Sequence, residues 1–82
     1  MTTRVARPPR RYRFAVVIEQ DEAGYAAFCP SLQGCYAQGR SYEEALANMR
    51  DAIRLHVTDR SAAGEPIPQA SAVSLTDIDL VM

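Results

Sequence analysis

One amphipathic helix, predicted from Ser41 to about Ala63, most constrains what this chain can fold into. Ser41 and Glu44 have the spacing of a capping box, in which each side chain accepts a hydrogen bond from the backbone N–H of the other residue. Gly64 is a natural left-handed stop, and Pro66 prevents the helix from continuing. The two ends of the helix are therefore set by independent signals, and its apolar side needs a surface to cover.

The apolar residues of this helix recur at spacings of three and four, which is the period of a helix that buries one face. They are Tyr42, Ala45, Leu46, Met49, Ala52, Ile53, His56 and Val57. We expect Leu46, Met49 and Ile53 to form the helical part of the core.

The segment from Arg11 to Glu19 has the period of two that is typical of a strand with one buried face. Its bulkier alternating set consists of Tyr12, Phe14, Val16 and Ile18. We expect the last three of these to face the helix as core residues. The intervening Ala15 and Val17 then lie on the opposite face of the sheet.

Two more strands precede the helix, from Tyr25 to Cys29 and from Cys35 to Gly39, and each follows a short polar loop that contains glycine. We expect a fourth strand between Ser71 and Met82, with a bulge or a late start near Asp77. The predicted fold class is α+β in the order β-β-β-α-β, with an antiparallel sheet of three to four strands and the helix on one face. We assign residues 11–82 to a single domain.

Charge is distributed unevenly along the chain. Five of the nine basic residues precede Phe14, with no acidic residue among them: Arg4, Arg7, Arg10, Arg11 and Arg13. From residue 14 onward four Arg oppose ten Asp and Glu, for a net charge of minus six. The acidic body suits a basic partner, whereas the Arg-rich start, which we expect to be a disordered tail over residues 1–10, suits phosphates.

The chain contains no apolar run near the ~20 residues that span a bilayer. Its Arg-rich start also lacks the apolar stretch and cleavage site of a secretory signal. We therefore expect a cytoplasmic protein without membrane contact.

No catalytic or metal-binding constellation emerges from the sequence. His56 is the only histidine, and its place beside the apolar stripe favours a packed side chain over a general base. Three carboxylate pairs offer oxygen ligands to Mg²⁺, but their places in a turn, a helix start and a strand edge favour structural roles. These pairs are Asp21/Glu22, Glu43/Glu44 and Asp77/Asp79. We expect no catalytic residue, no metal site and no cofactor.

Cys29 and Cys35 flank a five-residue loop, and two cysteines are too few for a four-ligand zinc site within one chain. In a reducing compartment such residues are most often small buried apolar groups. A disulfide between them is the less common alternative.

The sheet face opposite the helix is predicted to be apolar, because neither alternating set of the second strand contains a charge. The candidate residues for an interface with a partner or a second copy are Ala15, Val17, Tyr25, Phe28 and Tyr36. A monomer would expose this patch, so we expect a homo-oligomer, either a dimer or a tetramer. The aromatic residues are also able to stack on nucleic-acid bases, although packing and interface roles are more common.

Several short motifs occur in a fixed order between Tyr12 and Pro68. They are Val16-Val17-Ile18-Glu19, Gly24-Tyr25-Ala26-Ala27-Phe28, Pro30-Ser31-Leu32, Gly34-Cys35, Gln38-Gly39, Ser41-Tyr42-Glu43-Glu44-Ala45, Ala52-Ile53 and Gly64-Glu65-Pro66-Ile67-Pro68. In this order and at these spacings, the chain resembles the HicB-like antitoxins of type II toxin–antitoxin systems.

The resemblance implies a truncated ribonuclease H fold without that enzyme's carboxylate site, and a function that is not enzymatic. Antitoxins of this type bind and block a small basic HicA-like toxin, which cleaves mRNA with a histidine. The acidic body of this chain is what such a partner needs. Family members that bind DNA carry a further module after the fourth strand, and because the chain stops at Met82 we do not expect DNA binding.

Three other hypotheses stay open. A nucleic-acid-binding protein that uses the Arg-rich tail would show a steep salt dependence of RNA or DNA binding, which removal of residues 1–10 would abolish. A vestigial nuclease of the ribonuclease H type would show Mg²⁺-dependent activity that depends on Asp21 or Asp79. An orphan oligomeric domain would have no toxin at all.

Overall fold

The structure is a computed structural model that describes residues 10–70 and 72–82. Three strands precede one long helix: β1 (Val17–Asp21), β2 (Gly24–Phe28), β3 (Tyr36–Gly39) and α1 (Tyr42–Ala62). The strands form one antiparallel sheet in the order β1-β2-β3, and α1 packs on one face of it. The predicted α+β class and the β-β-β-α order are confirmed.

The turn between β1 and β2 is fixed by the carboxylate of Asp21. Its Oδ1 accepts hydrogen bonds from the backbone N–H groups of Ala23, at 2.8 Å, and Gly24, at 3.1 Å, as short polar side chains do in turns. Gly24 has φ = 138°, which residues with a β-carbon rarely adopt. The turn sets a register in which Ile18 lies opposite Ala27.

The start of α1 is closed by side chains on both sides of its cap. Ser41 Oγ accepts the backbone N–H of Glu44 at 3.1 Å. The Glu44 carboxylate accepts the N–H of Arg40 at 3.1 Å, one residue before the Ser41 N–H that the sequence pattern indicates. The helix ends at Ala62 and is followed by Gly64 at φ = 72°. Within the described ranges, no helix is long and apolar enough to cross a membrane.

The core lies between α1 and the inner face of the sheet. Its buried residues are Ala27, Cys29, Leu32, Cys35, Ala45 and Met49. Four further residues that the sequence assigns to the core are partly buried and pack against this cluster: Phe14, Val16, Ile18 and Ile53. Leu46 is half-buried and lines a groove at the edge of the core.

The loop between β2 and β3 contributes more to the core than the sequence pattern indicates. Leu32, at its centre, is only 1% exposed. The Leu32 N–H donates to the Cys29 carbonyl and the Cys35 N–H donates to the Leu32 carbonyl, each at 3.1 Å. The Cys29 N–H donates to the Cys35 carbonyl at 3.1 Å and closes the loop. The two cysteines are buried free thiols, so the disulfide alternative is not formed.

The first strand is shorter than predicted, because it begins at Val17 instead of Arg11. Pairing with β2 ends at the Val17–Phe28 pair, so the described residues before Val17 have no strand beside them. The side chain of Gln69 binds the backbone of this segment. Its Oε1 accepts the Arg13 N–H at 2.9 Å, and its Nε2 donates to the Arg13 carbonyl at 3.0 Å. Residues 1–9, which make up most of the predicted tail, lie outside the described residues.

The fourth strand that the sequence predicts after α1 is not formed in residues 72–82, and the structure corrects this part of the expectation. A strand needs hydrogen bonds to a neighbour and a face on which to pack its side chains. Among the described residues, this segment has no neighbouring strand, and its large apolar side chains are not packed, since their exposure runs from 47% at Val73 to 111% at Met82. An apolar, β-branched composition does not form a strand without a partner.

Candidate functional site

The sheet face that α1 leaves open carries a row of three large side chains, one from each strand. Val17 of β1 lies opposite Phe28 of β2, and Phe28 lies opposite Tyr36 of β3. Directly opposed residues of antiparallel strands have β-carbons about 4.5–5.5 Å apart and point to the same face. These three residues therefore form one continuous apolar row, called the open-face row below.

The open-face row is accessible to a partner. Tyr36 is 71% exposed and Phe28 is 37% exposed, whereas Ala27, which precedes Phe28 and faces α1, is 0% exposed. Aromatic residues are enriched at the centres of protein interfaces, where they supply a large contact area at a low entropic cost. The row thus has the composition of a protein-binding surface.

A second row on the same face has no large apolar side chain. It runs across the sheet through Glu19, Ala26 and Gln38. The Glu19 side chain is exposed and places a carboxylate beside the apolar row. An apolar centre with a negative border is complementary to a surface that presents an apolar side chain next to Lys or Arg.

Three of the five residues predicted for the interface meet in the open-face row. Ala15 is half-buried and lies two positions before Val17, in the segment that leads into β1. Tyr25 lies on the other side of β2, where it packs against the core. The sequence left open which alternating set of β2 faces the helix, and the burial of Ala27 selects the set that contains Tyr25.

The carboxylates that the sequence offered for chemistry have structural partners or lie exposed. Asp21 holds the β1–β2 turn and Glu44 closes the start of α1. Both carboxylates line a cleft of about 280 Å³ between that turn and the helix start. His56 is half-buried along α1. Among the described residues, no group of three or more His, Cys, Asp or Glu is arranged to hold a metal ion.

The buried thiol of Cys35 is a poor nucleophile. Burial raises the pKa of the Cys35 thiol above its ordinary value, and the neighbouring Cys29 raises it further. Cysteine reacts as the thiolate, which a raised pKa makes scarce at neutral pH. The pair therefore acts as apolar filling at the end of the core.

Two contacts outside the sequence patterns fix the position of α1 and of the chain after it. Asn48 Nδ2 donates to the Gln38 carbonyl at 2.8 Å and ties the helix to β3. Gln69 binds the backbone of Arg13 as described above. Single polar residues of this kind carry no periodic signal, so the sequence did not reveal them.

Comparisons with known proteins agree with this description. Residues 14–79 match the family described as the HicB_like antitoxin of bacterial toxin-antitoxin system. A UPF0150 protein of Synechocystis is 37% identical over 67 residues, which cover 80% of this chain and 85% of the relative. A UPF0150 protein of Thermoplasma acidophilum is 37% identical over 65 residues, covering 78% of this chain and 94% of the relative.

A UPF0150 protein of Helicobacter pylori is 59% identical over a shorter stretch of 46 residues, which cover 56% of this chain and 64% of the relative. No solved structure matches the chain at a significant level.

The sheet, the single covering helix and the open apolar face define a small α+β protein with a surface suited to a protein partner. The family match extends over most of the chain, and two relatives are 37% identical over more than three quarters of it. The chain therefore belongs to the HicB-like antitoxin family, as its sequence motifs indicate. Membership supports an antitoxin role and implies a toxin as the partner.

Proposed function

We propose that this chain binds and neutralises a small, basic, HicA-like toxin that cleaves mRNA, and that it has no enzymatic activity of its own. The observation that carries the proposal is the open-face row of Val17, Phe28 and Tyr36, which exposes apolar surface in a member of an antitoxin family. An antitoxin of this kind acts by covering its partner, so a large accessible surface is what the function requires.

Charge supports a basic partner. Residues 14–82 contain four Arg against ten Asp and Glu, a net charge of minus six. A field of this sign attracts a cationic protein from a distance and accelerates the encounter. The apolar row then supplies the desolvated contacts that slow dissociation. Charge thus selects the type of partner, and the row holds it.

The proposal that the chain is not an enzyme draws on what its carboxylates do. A ribonuclease H-type centre needs several carboxylates that converge on metal ions. Here Asp21 binds two backbone N–H groups of its own turn, and Glu44 binds the N–H of Arg40. We therefore treat the chain as a truncated ribonuclease H-like fold that has kept the scaffold for binding.

Three further properties belong to this proposal. Residues 11–82 act as one domain in the cytoplasm, where an mRNA-cleaving toxin acts. The isolated chain is a homo-oligomer, either a dimer or a tetramer, because much apolar surface is exposed for 82 residues. DNA binding is not part of the proposed function.

A growth assay tests the proposed function. A HicA-like toxin from the same genome is induced in a host cell, alone or together with this chain. We expect the toxin alone to arrest growth and the wild-type chain to restore it. We expect Tyr36→Asp to lose this protection, because a charge enters the open-face row. Leu55→Asp is the matched control, since Leu55 is 61% exposed on α1 and lies far from that face.

Equal protection by Tyr36→Asp and Leu55→Asp would contradict the assignment of the open face. No protection by the wild-type chain at equal expression would contradict the antitoxin role itself.

A further inference from the structure

The inner face of the sheet is incompletely covered on its β1 side. Helix α1 packs chiefly against β3 and β2, and least against β1. This placement leaves a groove of about 220 Å³ between α1 and the segment that leads into β1. The groove is lined by Phe14, Val16, Leu46, Met49, Arg50 and Ile53.

The two edges of the sheet also differ in how far α1 covers them. At the β3 edge, Asn48 of α1 donates to the Gln38 carbonyl, so the helix satisfies part of that edge. At the β1 edge, the side chain of Gln69 binds the backbone of Arg13, and in the described residues no strand follows along β1. An open edge beside an apolar groove is suited to one more strand.

The end of the chain has the pattern of such a strand. Residues 72–82 are exposed along their whole length. From Asp77 onward, Ile78, Leu80 and Met82 alternate with polar or smaller side chains, which is the period of a strand with one buried face. Ile78 is 79% exposed and Leu80 is 77% exposed. Residues 77–82 therefore have the pattern of a strand but pair with no sheet among the described residues, and the β1 edge of the sheet has no further strand beside it there.

We propose that residues 77–82 of one copy add as a strand to the β1 edge of a second copy, with Ile78 and Leu80 filling the groove between β1 and α1. The exchange is reciprocal, so it produces a closed dimer with two-fold symmetry.

The occupant is a second copy because the single chain does not fill its own groove. The arm, residues 77–82, follows Gln69, whose side chain is held at Arg13. Even so, Ile78 is 79% exposed and Leu80 is 77% exposed in the single chain.

Charge favours docking of the arm at this edge. The arm contains Asp77 and Asp79 and no cation. These two residues alternate with the apolar side chains of the arm, so they face away from the groove. Arg11 and Arg13 are exposed in the segment that extends the same edge. An arm from a second copy therefore brings its carboxylates to a basic border.

The exchange uses the β1 edge and the inner face, and it leaves the open-face row uncovered. It specifies the homo-oligomer of the proposed function and is independent of toxin binding, since the dimer forms with or without a toxin.

Disulfide trapping distinguishes exchange from self-docking. A tagged chain with Leu80→Cys is mixed with an untagged chain with Leu46→Cys and mildly oxidised, while the native thiols are protected by burial. We expect a disulfide between tagged and untagged chains. Leu75→Cys replaces Leu80→Cys in the control, because Leu75 is 83% exposed and shares the alternating set of Asp77 and Asp79, which faces away from the groove. We expect no cross-link there.

The double variant Leu46→Cys/Leu80→Cys provides the opposing outcome. A disulfide formed wholly within single chains would show that the arm folds onto its own groove and would overturn the proposal. Absence of the mixed disulfide, or an equally strong cross-link from Leu75→Cys, would overturn it as well.

Sedimentation gives a second measurement. We expect the wild-type chain at micromolar concentration to show twice the 9.0 kDa chain mass. Leu80→Asp should raise the dimer dissociation constant at least roughly tenfold, whereas Leu75→Asp should leave it unchanged. Both residues are exposed within the single chain, so circular dichroism of both variants should be that of the folded protein. A wild-type monomer, or a Leu80→Asp dimer as tight as the wild type, would contradict the exchange.

Discussion

Gly39 of β3 and Ala45 of α1 lie so close together that a β-carbon on Gly39 would stand 2.8 Å from the Ala45 Cα. The crowding atoms belong to the backbone of the helix and cannot rotate away. The φ of Gly39 is not positive, so glycine is needed here for the close approach and not for an unusual backbone conformation. The distance between helix and sheet is therefore set at this residue.

We expect Gly39→Ala to lower the free energy of unfolding by about 1–3 kcal/mol, because α1 must move away from β3 to admit the methyl group. Urea denaturation followed by circular dichroism measures the change. Gly34→Ala is the control: Gly34 has φ = 78° but no atom within 4 Å of an added β-carbon, so its cost of about 1 kcal/mol is conformational only. A Gly39→Ala protein as stable as the wild type would show that the helix is not held at this distance.

The helix cap provides a second prediction. Ser41→Ala should destabilise the protein by about 1 kcal/mol, because the Glu44 N–H loses the acceptor that lies 3.1 Å away. Ser61→Ala in the last turn of α1 is the matched control, since that side chain is exposed and alanine is a good helix former. Equal unfolding midpoints for the two variants would contradict the capping role.

The third prediction concerns the apolar stripe of α1. Met49 is 0% exposed, so Met49→Ala should cost about 2–5 kcal/mol. Leu55 is 61% exposed on the same helix, and Leu55→Ala should change stability by no more than about 0.5 kcal/mol. Thermal unfolding of the two variants measures the contrast, and a similar loss in both would mean that the buried face of the helix is misassigned.

The buried thiol of Cys35 gives a pH dependence with a defined sign. Its pKa is raised from the ordinary value of 9.0, first by desolvation and then by Cys29. Below that ordinary value the thiol is protonated in both the folded and unfolded chains, and the stability is fully present. As the pH rises through it, the unfolded chain loses its proton first, so the free energy of unfolding falls.

Comparison with Cys35→Ala isolates this effect from other titrating groups. The stability difference between wild type and variant should shrink from about pH 8 to about pH 10, because only the wild type has a thiol to ionise on unfolding. A difference that stays constant over this range would mean that the folded environment does not disfavour the Cys35 thiolate.

The sequence predicted the elements whose signals are periodic or chemical. The Ser41 cap, the stripe through Met49 and the alternation through Ile18 each repeat a pattern that elementary packing imposes. It could not predict the burial of Leu32, because the hydrogen bonds of the β2–β3 loop that turn this residue inward have no period. It also could not choose between the two sets of β2, because neither Tyr25 nor Phe28 has a charged neighbour that would mark the outer face.

The end of the chain shows a different limit. The apolar residues of the segment that follows Gln69 predict a strand, yet among the described residues this segment pairs with no strand. The local sequence pattern predicts that a segment is able to form a strand. The position of the neighbouring strand depends on the arrangement of the other elements. The Arg-rich start lies largely outside the described residues, so its interpretation stays a prediction.

Binding of the toxin to the open face is the central claim, and calorimetric titration tests it most directly. The purified chain is titrated with a HicA-like toxin of the same genome whose catalytic histidine has been replaced. We expect tight binding by the wild type and by Leu55→Asp. Tyr36→Asp should weaken it at least roughly hundredfold, as expected for an aromatic anchor at the centre of an interface. Equal affinities for all three proteins, or no binding by the wild type, would contradict the account.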